Sequence, residues 1–160
     1  MTVIDPILAF KAGNPAGCEA LFEAYADRLY RLAFGLLRHS EEAEDVVQET
    51  CLKILAHAGR FEGRAALGTW MYRLAFNAST DRLRRKKENR LPADDASEEE
   101  DLSFPLPKNF VEWQTHEALL IGGENRKILE QSIQQLPESL RTVFLLRDIE
   151  DLSTAETALV

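Results

Sequence analysis

The groups most able to do chemistry in this chain crowd into one stretch. Arg82, Arg84, Arg85, Lys86, Lys87 and Arg90 place six cations within nine residues, at the end of the run 69-TWMYRLAFNASTDRLRRKK-87. A helix dipole welcomes one or two cations at its C-terminus. Six ask for an anionic partner, and nucleic-acid phosphate is the commonest one. Aromatic rings gather at the other end of the run. Phe61, Trp70, Tyr72 and Phe76 lie in or beside a loop-to-helix junction, where stacking of an unpaired base is worth about 1–3 kcal/mol. Trp70 and Phe61 also read as core residues, with Trp70, Leu74, Ala75 and Ala78 as the packing stripe. Arg73, Asn77, Thr80, Asp81 and Arg84 fall on other faces.

A second group is acidic. In 43-AEDVVQETCLKIL-55, Asp45, Gln48, Glu49 and Leu52 share one helical face, opposite Val46, Val47 and Ile54. That face is either a solvated exterior or a docking surface for a basic protein, with an apolar residue inside a carboxylate and amide ring. Catalysis finds no footing. The chain has no Gly-rich phosphate loop, nucleophile elbow or metal-ligand spacing. Its carboxylate pairs sit in helix first turns or in an acidic segment, where capping and solvation account for them. Cys18 and Cys51 form no CxxC, and His39, His57 and His116 are scattered. The two thiols read as small buried apolar groups. No catalytic residue, metal or cofactor is expected.

The elements that must position these groups are helices. Asp5-Pro6 and Asn14-Pro15 each read as a cap followed by Pro at the first helical position. Leu21, Phe22, Tyr25, Leu29, Leu32 and Leu36 predict a helix from about Pro15 to Arg38. Ser40 is expected to cap the next, with acids in its first turn and Gly59 at its end. The basic run predicts a third, from about Thr69 to Lys87. Between Arg90 and Gly123 the periodicity dissolves into LPADDASEEEDLSFPLPKNF, an acidic linker composition, apart from a partial helix at about 109–121. Helical signal returns at Glu124–Gln135, breaks at Leu136-Pro137, and resumes with Leu140, Val143, Phe144 and Leu146. Ser153 and Glu156 form a capping box. Nothing alternates with period two for long enough to suggest a sheet.

These elements predict an all-α chain of two small helical domains, 1–90 and 124–160, joined by a linker over 91–123. The second is small for an independent core. The overall net charge of −8 conceals a net of +2 over residues 1–90 and −10 over 91–160, so the overall charge is a poor guide to partners. No apolar run reaches the roughly 18–20 residues that span a bilayer, and the N-terminus lacks a secretory pattern. No membrane insertion and a cytoplasmic location are expected.

At this point the residues match a family. FEGRAALGTWMYRLAFNASTDRLRRKK, with AEDVVQETCLKIL before it and LPESLRTVFLLRDIEDLS after it, resembles the bacterial sigma-70 family. Within it, the pattern is similar to the compact two-domain extracytoplasmic-function (ECF) RNA polymerase sigma factors. The resemblance covers about residues 5–90 and 124–160, with three motifs in order around the linker.

What the resemblance implies is a transcription initiation factor. Residues 1–90 would be the region 2 bundle, which binds RNA polymerase core and recognises and melts the promoter −10 element. Asp45, Gln48, Glu49 and Leu52 would meet the clamp helices of the β′ subunit. The loop Phe61–Thr69, including Arg64, and the helix start with Trp70, Arg73, Phe76 and Asn77 would hold the separated non-template strand and a flipped base. Arg82, Arg84, Arg85 and Lys86 would track its phosphates. Residues 124–160 would be the N-terminal part of region 4, the −35 reading helix-turn-helix domain. Its recognition helix is missing from the sequence, so the chain as given is not expected to read a −35 element. Many members of the family are held inactive by an anti-sigma protein. The acidic linker and the face around Val143, Phe144 and Leu146 are available to one. The competing reading is a helical protein-interaction adaptor without DNA binding.

Overall fold

The structure, a computed structural model, describes residues 10, 12, 14–57, 61, 65–89 and 116–160, with side chains in the last span from residue 126 onward. Helix α1, Pro15–Leu37, starts as the sequence predicts. The Asn14 side-chain oxygen accepts the Ala16 N–H at 3.0 Å, and proline occupies the first turn. It ends at Arg38, which turns left-handed (φ 54°) and returns its N–H to the Phe34 carbonyl. The connection to α2, Ser40–His57, is so short that Ser40 is already helical. The capping role expected of Ser40 falls to His39, whose carbonyl accepts from Ala43 at 3.0 Å and whose Nδ1 faces the Glu42 N–H at 3.4 Å. Helix α3 is Leu67–Asn89 and begins before Thr69, because the Ala66 carbonyl already accepts the Trp70 N–H. Asp5-Pro6, Gly59 and Arg90 lie outside the described residues.

The three helices bury one core. In α2 the inner stripe contains the expected Val46, Val47 and Ile54 together with Ala43 and Thr50, and Thr50 is fully enclosed. In α3 the stripe is rotated from the expected one. Leu67, Met71, Ala75 and Ala78 face inward with Tyr72 and Ser79, whereas Trp70 and Leu74 sit at the border, half-buried. A glycine makes part of this fit. A Cβ on Gly68 would come within 2.8 Å of the Tyr25 hydroxyl, so its absence lets an α1 ring lie against the start of α3.

Helix α1 is buried over Leu32–Leu37 without a gap, which an amphipathic surface helix would not show. The reason lies in the second unit. It comprises α4, His116–Gln135, α5, Glu138–Phe144, a π-helical turn over Leu145–Ile149, and the single turn α6, Thr154–Thr157. Helix α4 begins within the span expected to be linker and runs through Gly122 and Gly123. The acidic stretch before His116 lies outside the described residues. Leu136-Pro137 breaks the chain as expected, and the Ser153/Glu156 capping box closes in both directions. Ile133, Leu145, Leu146, Ile149 and Leu152 are buried in the same apolar cluster as the first three helices. Too small to enclose a core alone, the second unit borrows the far side of α1. The architecture is all-α, with no strand among the described residues.

Candidate nucleic-acid and polymerase interface

Trp70, Arg73, Asn77 and Arg84 recur at spacings of three, four and seven, so they line one edge of α3. Arg73, Asn77 and Arg84 are exposed and Trp70 is half-buried. Trp70 is the outer wall of a three-ring cluster. Its ring centroid lies 5.3 Å from Phe61 and 6.3 Å from Phe10, which is fully enclosed. Tertiary packing therefore fixes the Trp70 and Phe61 rings while leaving part of Trp70 to solvent. Phe76 is half-buried on the adjoining flank, and Arg85 is exposed. Thr69 is buried, its hydroxyl 3.5 Å from a Glu156 carboxylate oxygen. Arg64 lies outside the described residues.

The cation cluster is not one patch. Arg82 and Lys86, one turn apart, point away from that edge and toward α2. Arg82 meets Asp45 at 3.5 Å and Glu49 at 3.3 Å, and Lys86 meets Glu42 at 2.7 Å. The pairing order is that of antiparallel helices, 42 with 86 and then 45 and 49 with 82. A linear reading groups these cations with Arg84 and Arg85, but helical geometry turns them to the other side. Arg82 and Lys86 are thus counter-ions for α2 rather than open phosphate ligands. Among the described residues Arg84 pairs with Asp81 alone, at 3.0 Å in an exposed i,i+3 bridge, which contributes about 0.3–0.5 kcal/mol.

The predicted acidic face of α2 is outward. Gln48 is exposed, the side chains of Asp45 and Glu49 are 60% and 40% exposed, and Leu52 is 68% exposed. Leu55 extends the apolar centre at 50% exposure. The sequence reading missed it, although its i+3 spacing from Leu52 was the signal. Lys53 donates to Glu49 at 2.6 Å. That bond, with help from Arg82 and against a smaller burial effect, holds the Glu49 carboxyl below the usual range.

No sequence pattern flagged the most buried charge near this interface. Glu150 is 3% exposed and sits where the π turn ends. Its carboxylate accepts from Arg28 Nε at 2.6 Å, Arg31 Nε at 2.8 Å and the Tyr72 hydroxyl at 2.8 Å. Arg28 also donates to the Glu150 carbonyl and lies over the Tyr25 and Tyr72 rings at 5.4 and 5.7 Å. Tyr72, expected from its ring to serve stacking, is instead sealed beneath the second unit. Arg141 reinforces the contact by donating to the Gly35 carbonyl at 2.8 Å, in the last turn of α1 where a carbonyl needs an outside partner.

Burial, then the Glu150 charge and hydrogen bond, push the Tyr72 phenol well above its ordinary value. A pKa raised by folding gives stability that is whole below the unfolded value, near about 10, and is lost as pH rises beyond it. The melting temperature should therefore fall as pH rises above about 10. Tyr72→Phe should cost about 1.5–3 kcal/mol at neutral pH, by losing a bond to a charged group, and should flatten that alkaline decline. A decline equally steep in the variant would assign it to other groups.

The position of Cys51 disfavours its reactive form. Cys18 and Cys51 are free and line one cavity of about 300 Å³ between α1 and α2, walled by Leu21, Phe22, Ile54 and Met71. Burial first, and the neighbouring Cys18 second, push the Cys51 thiol up, away from the thiolate form that reacts. None of the described helices is long and apolar enough to cross a membrane.

Comparison with known proteins shows the family. The Sigma-70 region 2 pattern matches residues 21–89, and the Sigma-70, region 4 pattern matches residues 126–160. The RNA polymerase sigma-H factor of Pseudomonas aeruginosa is 31% identical over 148 residues, covering 92% of this chain and 76% of its own. The ECF RNA polymerase sigma factor SigW of Bacillus subtilis is 28% identical over 156 residues, 98% of this chain and 83% of its own. The ECF RNA polymerase sigma-E factor of Escherichia coli is 33% identical over 121 residues, 76% of this chain and 63% of its own. The chain belongs to the sigma-70 family, in its ECF group, and is a transcription initiation factor rather than an enzyme.

Proposed function

We propose that this sigma factor grips RNA polymerase core through the α2 face of Asp45, Gln48, Glu49, Leu52 and Leu55, and holds the opened non-template strand of a −10 element along α3. Family membership implies RNA polymerase core and promoter DNA as partners. The clamp helices of the β′ subunit fit the α2 face because they would bring basic and apolar groups to its carboxylates and leucines. On α3, Trp70 and Phe61 offer a ring wall, Arg73 and Asn77 hydrogen-bond donors, and Arg84 and Arg85 contacts to phosphate. The observation that carries this reading is the alignment of Trp70, Arg73, Asn77 and Arg84 on one solvent-facing edge.

Residues 1–90 then act as the core-binding and melting unit, 91–123 as the acidic connection, and 124–160 as the start of the −35 reading unit. The protein works in the cytoplasm, where its partners are. An anti-sigma protein would use Leu140 and Val143, which are 58% and 48% exposed, rather than Leu146, which is buried at 2%.

Salt-titrated binding to a single-stranded −10 oligonucleotide tests the strand reading. Arg84→Ala/Arg85→Ala should lower affinity for all sequences and reduce the salt slope by about 1.4, at roughly 0.7 per lost phosphate contact on a single strand. Arg82→Ala/Lys86→Ala should change the slope less, because those cations are engaged by α2. A parent protein with no salt dependence would be an adaptor and not a strand binder. Equal slope changes in the two variants would remove the division of the cations.

A further inference from the structure

The outward carboxylates of α2 already have cations of their own. The Arg82 guanidinium bridges two of them, with Nη1 3.5 Å from Asp45 Oδ2 and Nη2 3.3 Å from Glu49 Oε2. Lys53 Nζ holds the other Glu49 oxygen at 2.6 Å, and Lys86 Nζ holds Glu42 Oε1 at 2.7 Å. Three carboxylates thus face three cations, and their formal charges cancel. A basic partner approaching α2 meets groups that are engaged within the molecule, and little net field to draw it in.

We propose that Arg82 is an internal competitor of RNA polymerase core: it occupies the Asp45 and Glu49 carboxylates in the free protein and leaves them when core docks. The proposal rests on the α2 docking reading above. Among the described residues no other cation touches both carboxylates. Lys53 sits on Glu49 alone, and Lys86 reaches only Glu42, outside the docking set. Arg82 therefore stands where a guanidinium or ammonium group of the partner would have to stand.

Three features suit Arg82 to being displaced. Its contacts at 3.3 and 3.5 Å exceed the roughly 2.7–2.9 Å of a strong charge-assisted bond, whereas the Lys53 and Lys86 pairs reach that length. Its two acceptors are largely open to water, so exchanging one cation for another there costs little. Its Nε is buried with no hydrogen-bond partner among the described residues, so the guanidinium is not fully satisfied where it lies. The half-buried Arg82 can keep its stem packed while its head swings into water. Docking is then an ion exchange. A partner that cannot replace Arg82 on both carboxylates is refused, which is selectivity by a built-in opposing element.

The test is the association rate of the full chain with purified RNA polymerase core at about 0.05 M and about 0.5 M salt, with circular dichroism on each protein. Arg82→Gln should associate about three- to tenfold faster than the parent at low salt, and the gain should shrink to less than about twofold at high salt. Lys86→Gln removes the same charge one turn away but frees no docking carboxylate, so its gain should be clearly smaller. Equal gains in the two variants overturn the competition and leave only net charge. An unchanged or slower Arg82→Gln also overturns it, the slower result making Arg82 a support for the docking face. Should Arg82→Gln melt more than a few degrees below the parent, Arg82→Met, which keeps the packed stem, decides. Asp45→Asn/Glu49→Gln separates the two readings. If that pair leaves association unchanged, the α2 docking reading fails and the competition with it. If it slows association while Arg82→Gln brings no gain, only the competition fails.

Discussion

A chain carrying Asp45→Lys and Glu49→Lys should no longer co-purify with RNA polymerase core, while its helical content stays that of the parent. The expected loss is at least about a hundredfold, because reversing carboxylates that face basic partner groups replaces attraction with repulsion worth several kcal/mol. The structure separates this loss from unfolding. Asp45 and Glu49 lie outside the packed stripe of Val46, Val47, Thr50 and Ile54. Their bonds to Arg82 and Lys53 are at least partly exposed, and each contributes about 0.2–1 kcal/mol. A small drop in melting temperature is therefore expected alongside a complete loss of binding. Retained co-purification at moderate salt would move the polymerase surface elsewhere on the molecule.

The second large effect contrasts Trp70→Ala with Asn77→Ala. Trp70 stands against Phe61 and Phe10, so its removal opens the cluster to water. With its ring partly buried against the core, the cost should be about 2–3 kcal/mol. Asn77 is exposed on a helix interior, and alanine there should leave stability unchanged or raise it by about 0.5 kcal/mol. Both substitutions should impair promoter opening, by about 5- to 150-fold, if each supports one extruded base. Thermal melts and an opening assay on the same preparations distinguish the two causes. A folded Asn77→Ala protein that opens promoters like the parent would remove that residue from the site. Trp70→Phe should recover most of the stability and part of the opening, since it restores a stacking face of smaller area.

The two substitutions also mark different kinds of position. Asn77 can be exchanged without touching the core, so a defect there reports strand contact. Trp70 serves core and surface together: the same ring closes the Phe10 pocket and faces solvent along the α3 edge. Sequence reading recognised both uses of Trp70 but could not weigh them, since the balance depends on where Phe61 and Phe10 come to rest.

Helix identity was legible for α1, α2, α3 and α5, because caps and periodicity are local. Asn14-Pro15 starts α1, Leu136-Pro137 breaks the chain, and Ser153 with Glu156 closes a capping box, each within a few residues of its own sequence. The outward face of α2 was legible for the same reason, since one helix's own periodicity separates Asp45, Gln48, Glu49 and Leu52 from Val46, Val47 and Ile54. The family motifs likewise sufficed to identify a sigma factor. The sequence could not reveal which cations have partners. Arg82 and Arg84 are neighbours in composition, but only the antiparallel packing of α2 on α3 gives one to Asp45 and Glu49 and leaves the other on the exposed side with a bridge to Asp81 alone among the described residues. Nor could it place Glu150, which lies more than a hundred residues from Arg28 and Arg31 along the chain. Ion pairs and shared cores between distant segments have no periodic signature. They exist only once the second unit, too small to bury its own leucines, has settled against α1.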